Sequence, residues 1–248
     1  MNAEHALTTL RIAGVVVLII AAWSVWERRL TFQSRFDVAG TVSVALFGAG
    51  AALDSPWTAL AAASFPITGR YYALMVVGHL CYLAGAATVI RAIYRRLLPD
   101  DGIGPFMRWI NGVAMVAGAV MVGSFAASSL PRIMSVEHLY LAVPDFWLTL
   151  YWVFHFGTET LFGLVASYGV LRLRSDPRSV LLNLTLGALM LAALSGGVIV
   201  GWSVITDRLV TLRLAAWFLT YLAFMAAAVA AAAQWRYRER MLLRPSWA

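Results

Sequence analysis

Apolar residues in this chain gather in long runs, without the alternation of a half-buried strand. Residues 6–26, 38–53, 71–90, 109–130, 146–171, 181–202 and 214–234 form seven such runs. A helix crossing a bilayer needs roughly 17–25 mostly apolar residues. The pattern therefore predicts an all-α fold, a polytopic membrane bundle of seven transmembrane helices. The second run is the shortest and is rich in glycine. An eighth, 56–68 (PWTALAAASFPIT), is too short to span and is expected to lie at the surface or dip into the bundle. Glu27, Arg28 and Arg29 follow the first run without the small residues of a signal-peptide cleavage site, so that helix is expected to remain in the mature protein. Residues 1–248 read as a single transmembrane domain with no soluble domain attached. The alanine-rich stretch 226–233 is good helix material with small faces for close packing.

Charge orients the bundle. Of 248 residues, 61% are apolar and 12% charged, too few charges for the polar skin of a soluble domain. All 19 basic residues are arginine, and the net charge is +7. Arg28, Arg29, Arg35, Arg91, Arg95, Arg96, Arg108, Arg172, Arg174, Arg178, Arg236, Arg238, Arg240 and Arg244 fall on one side of the alternating connections; Arg70, Arg132, Arg208 and Arg213 fall on the other. The positive-inside bias then puts the N-terminus outside and the C-terminus in the cytoplasm of a bacterial plasma membrane protein. Trp26, Trp109 and Trp235 would mark the inner interface, and Trp57, Trp147 and Trp202 the outer one. The scattered arginine clusters suit lipid headgroups and give no reason to expect nucleic acid as a partner.

Several chemistries are excluded by what the chain lacks. A retinal Schiff base needs a lysine, and there is none. There is no HExxH zinc helix, GxSxG elbow, P-loop or GxGxxG turn. Cys81 stands alone, which leaves no thiol pair for disulfide exchange.

Ionisable residues at membrane depth are costly, and each is a candidate functional group. His79 on the third helix and His155 on the fifth lie roughly 12 and 14 Å below the outer boundary at ~1.5 Å per residue, close enough in depth to face each other. Tyr151, His155 and Glu159 recur at a spacing of four and share one helix face. His79 and His155 could ligate a metal or haem b, or they could hydrogen-bond the helices together; with no ligand, the cluster is structural. Glu159 must be paired or carry a proton; it is either the partner of His155 or an arginine, or a relay. Arg11, Asp54 and Asp145 sit near the outer ends and read as interfacial anchors. Gly197 and Gly201, four apart, let another helix approach, and Met75 reads as space-filling rather than as a soft ligand.

The stretch 65–96 (FPITGRYYALMVVGHLCYLAGAATVIRAIYRR) resembles the third-helix region of a poorly characterised seven-helix membrane family of actinobacteria and phages, and 171–197 (LRLRSDPRSVLLNLTLGALMLAALSGG) is similar in style to its sixth. Gly69 and His79 are the positions the resemblance carries over. Its members are labelled transporters and are often encoded beside helix-turn-helix regulators or immunity-type metallopeptidases; no established reaction comes with the family. The expectation is a non-enzymatic membrane protein: a sensor or interaction partner touching the bilayer and a cytoplasmic regulatory protein or a second copy of itself, or a small transporter. The alternative is a haem- or metal-binding electron carrier using His79 and His155.

Overall fold

The computed structural model describes residues 3–33, 38–54, 70–129, 145–173, 191, 195–206, 216, 222–223, 225–226, 228–230, 232–233 and 236. The short run 56–68, Gly69, Trp57, Trp235 and residues 181–190 lie outside them. Every regular element among the described residues is helical. In chain order these are α1 (Ala3–Glu27), a 3₁₀ turn (Arg29–Gln33), α2 (Val38–Asp54), α3 (Arg70–Tyr94), α4 (Asp100–Ala127), α5 (Phe146–Leu173) and α6 (Ser195–Ile205). Helical residues recur from Ala216 to Arg236.

Among the described residues two helices, Tyr72–Tyr94 and Asp100–Ala127, are long and apolar enough to cross a membrane. The apolar stretches Ile12–Glu27, Val38–Asp54 and Ser195–Ile205 are shorter. With its 28 residues α5 has the length, but His155, Thr158, Glu159 and Thr160 lower its mean hydropathy. Half of the apolar window of α3 is buried (50%) against 22% for α4, so α3 is the central helix and α4 an outer one. Large apolar side chains face outward on several helices, among them Ile12 and Ile19 of α1, Met115 and Val116 of α4 and Leu164 of α5. A water-facing surface seldom carries so much apolar area.

The helix ends follow from local chemistry. Pro99 occupies the N-cap of α4 in extended conformation, and Asp100 and Asp101 place negative charge on its first turn. The fourth helix therefore begins at Asp100, nine residues earlier than the apolar run at 109 suggests; its polar first turns are helical without being hydrophobic. Asp145 is a cap, not the interfacial anchor its position implied. Its Oδ1 accepts the Leu148 N–H at 2.7 Å, satisfying a first-turn donor of α5. Its Oδ2 accepts the Ser129 N–H at 2.9 Å and the Ser129 hydroxyl at 3.0 Å, so one carboxylate joins the end of α4 to the start of α5.

Burial alone would raise the Asp145 carboxyl. The backbone N–H of Leu148 and of Ser129, the Ser129 hydroxyl and the backbone N–H of Trp147 outweigh it and hold the group below the ordinary carboxylate range. A depressed folded pKa stabilises fully above the unfolded value, near ~4, and that stabilisation is lost as pH falls through the folded value. Asp145→Ala should thus cost about 1 kcal/mol at neutral pH, and the gap to wild type in detergent melting should narrow in acid below about pH 3. A gap unchanged by acid would refute the charged cap.

Helices α3 and α5 run parallel, with the Tyr94 hydroxyl donating to the Val165 carbonyl at 3.1 Å and Gly169 lying against Ile93 and Tyr94. The Glu27 carboxylate, at the end of α1, receives Arg236 through Nε at 2.8 Å and an Nη at 2.6 Å. Those hydrogen bonds hold Glu27 below its usual range. The ends of α1, α3 and α5 and the start of α4 therefore share one end of the bundle, carrying Arg29, Arg91, Arg95, Arg96, Arg108, Arg172 and Arg236. Three of these lie over aromatic rings: Arg29 over Trp26 at 4.7 Å, Arg172 over Tyr168 at 5.2 Å and Arg236 over Trp23 at 5.5 Å.

Two apolar clusters fill the interior. One joins α1 to α6 around Met75, Tyr82, Tyr151 and Trp152. The other, nearer the arginine end, packs α3, α4 and α5 around Ile90, Ile110 and Phe162.

Candidate functional site

The site begins with a close crossing of α2 and α3. A Cβ placed on Gly50 would lie 2.6 Å from the Tyr82 ring and 2.9 Å from the Gly78 carbonyl oxygen. One placed on Gly78 would lie 3.0 Å from the Gly50 carbonyl oxygen and 3.2 Å from the Asp54 nitrogen. With no side chains between them, the two backbones approach directly. That brings Asp54, the last residue of α2, against His79, the residue after Gly78.

Asp54 Oδ1 lies 3.0 Å from His79 Nε2, with both side chains almost completely buried. On the other edge of the ring, His79 Nδ1 hydrogen-bonds the Tyr151 hydroxyl of α5. Around a neutral imidazole, Nε2–H donates to the Asp54 carboxylate and Nδ1 accepts from the tyrosine. Both nitrogens of His79 are thereby engaged.

His155 stands one turn beyond Tyr151. Its ring stacks on that of His79, with centroids 4.2 Å apart and planes inclined by 20°. His155 Nε2 lies 3.8 Å from Glu159 Oε1, a charge contact too long for a hydrogen bond. Its Nδ1 is buried and has no hydrogen-bond partner among the described residues. Glu159 is less buried than the rest of the cluster, with its side chain 28% exposed where that of His155 is 1%. Trp152 lies beside both imidazoles, with centroids at 5.5 Å from His79 and 5.9 Å from His155. Phe156 closes the far side of His155 at 4.8 Å.

The predicted group of His79, Tyr151, His155 and Glu159 is thus brought together. Asp54 is the member that sequence reasoning missed: it is fully buried and paired, not an anchor at the outer boundary. A signal existed, because Asp54 falls one helical turn after Gly50, on the face whose small residues let α3 approach. Of the two packing glycines on α6, Gly201 fits its expected role, since a Cβ there would meet the Phe156 ring at 2.7 Å. Among the described residues nothing lies within 4 Å of a Cβ built on Gly197. Met75 is wholly buried in the core, one turn before His79.

The histidine pair does not suit a shared haem iron. Two axial imidazoles point their nitrogens at the metal from opposite faces of the macrocycle. Here the rings lie face to face with no space for a macrocycle, and the nitrogens of His79 already hold Asp54 and Tyr151. Among the described residues no group of three or more His, Cys, Asp or Glu side chains is arranged to hold a metal ion. What the arrangement can do is bind and exchange protons. Compared with known proteins, the chain matches no protein-family profile and no curated protein significantly.

Proposed function

We propose that the chain is a multi-pass protein of the bacterial plasma membrane, with seven spans and its arginine-bearing end in the cytoplasm, and that it is a small transporter that moves protons through the Asp54–His79–Tyr151–His155–Glu159 cluster. The observation that carries this reading is the gathering of two carboxylates, two imidazoles and a phenol from three helices near the middle of α3, all but Glu159 buried. Ionisable groups at such depth are expensive to keep and mark ion and proton pathways. The outward apolar side chains of α1, α4 and α5 suit contact with lipid chains, and the arginines at one end agree with the positive-inside bias. In this reading Glu159, partly exposed, exchanges protons with the surroundings, and Asp54 is the member furthest from it along the chain of contacts.

The test is proton flux into liposomes containing the purified protein, driven by an imposed potential and read with a pH-sensitive dye. The wild type should exceed empty liposomes. Glu159→Gln keeps shape and much of the hydrogen bonding but cannot relay a proton, so it should be folded and fall to the empty-liposome rate. A folded Glu159→Gln protein with undiminished flux, or a wild type without flux, would dismiss the transport reading.

A further inference from the structure

Two imidazoles stacked at 4.2 Å, each with its own carboxylate, form an unusual unit. We propose that His79 and His155 share a single proton, carried by one ring or the other and never by both, so that protonation of the pair neutralises either Asp54 or Glu159 in turn. The proposal rests on the proton-carrying reading of the same cluster and specifies how that cluster is loaded.

Face-to-face stacking favours one charged and one neutral ring, since the cation then sits over a π face. With both rings charged, two like charges would face each other across the same short gap, away from water. The two seats are otherwise distinct. On His79 the added proton lies at Nδ1, which then donates to the Tyr151 oxygen while Nε2–H continues to donate to Asp54. On His155 both nitrogens are available: Nε2 faces Glu159, and Nδ1 is buried with no hydrogen-bond partner among the described residues.

Among the described residues, the titratable groups around the pair come from three helices. Asp54 approaches from α2, Tyr82 from α3, and Tyr151 and Glu159 from α5. α6 meets this region through Gly201 against Phe156 and has no titratable residue from Ser195 to Ile205. The ionisable residues of α4 (Asp100, Asp101 and Arg108) belong to the arginine-bearing end, as do Glu27 and Arg28 of the α1 end. In the proposal, the charge on each carboxylate biases which ring holds the proton.

The experiment is nitrogen NMR of the full chain in lipid nanodiscs, labelled at histidine, with His5→Gln and His138→Gln removing the other two imidazoles. Spectra from about pH 8 down to about pH 4 cover the range in which an imidazole changes charge. The expected result is at most one imidazolium per molecule throughout. Asp54→Asn should move that signal onto His155, and Glu159→Gln should move it onto His79; a merely structural stack would show no such exchange. If Asp54→Asn does not fold, the wild-type count and Glu159→Gln still decide. Two imidazolium rings in one molecule, a signal indifferent to the carboxylates, or two rings neutral at every pH would each overturn the proposal. Flux with both rings charged would end the sharing and leave transport standing. A shared proton without flux would do the reverse.

Discussion

His79→Ala should destabilise the protein by about 3 kcal/mol or more, the range found when one partner of a buried charged pair is removed. The imidazole hydrogen-bonds both the Asp54 carboxylate and the Tyr151 hydroxyl, so its loss removes a partner from each at once. Neither can turn to water, because Asp54 and Tyr151 are fully buried. An ordinary interhelical hydrogen bond in a membrane protein contributes far less, about 0.6 kcal/mol on average, so the weakened support of a buried charge dominates. A double-variant cycle separates this cause from simple loss of packing. Asp54→Ala with His79→Ala should cost less than the two single changes added together, since the carboxylate that used the His79 donor is then gone as well. Melting in detergent measures all three. Strictly additive costs would mean that the two side chains do not depend on each other.

Gly78→Val should rank next, at about 1–3 kcal/mol from overpacking. Its first added carbon would sit 3.0 Å from the Gly50 carbonyl oxygen, 3.1 Å from Leu53 Cβ and 3.2 Å from the Asp54 nitrogen, and two of those three atoms are backbone that cannot swing aside. The helices must separate, which draws Asp54 away from His79, so proton flux should fall together with stability. Gly112→Ala is the control. Nothing described lies within 4 Å of its added carbon, and replacing glycine inside an exposed helical stretch should stabilise by roughly 0.5–1 kcal/mol. Equal effects at the two positions would remove the crossing as the cause.

These two sites show what was legible in the sequence and what was not. The second and fifth helices begin where their apolar runs begin, because hydrophobicity and helix coincide there. The start of the fourth was hidden, because its first turns at Asp100 and Asp101 are helical by capping and charge rather than by apolar content. His79 and His155 could be paired from depth alone, since parallel helices entering from the same side keep residues of equal offset level. Asp54 could not be placed by that reasoning. Distance from a membrane boundary measures position along one helix and says nothing about which neighbour lies alongside; that was decided by two glycines in different helices, each unremarkable alone. Tyr151 was grouped with His155 and Glu159 by spacing, yet its hydroxyl crosses to the other helix and serves His79.

The second apolar cluster bears on the electrical position that the polar cluster would have in a membrane. Ile90, Ile110 and Phe162 are completely buried and lie between the polar cluster and the arginine-bearing end. In a membrane the voltage falls steeply across the layers that exclude water and little across those that admit it. On the other side Met75, Leu148 and Met121 are buried as well, so in a membrane the histidines would sit between two dry layers, at a potential intermediate between the two compartments. A proton reaching them from either compartment would do only part of the electrical work, and the rest would fall to whatever rearrangement parts the layer beyond.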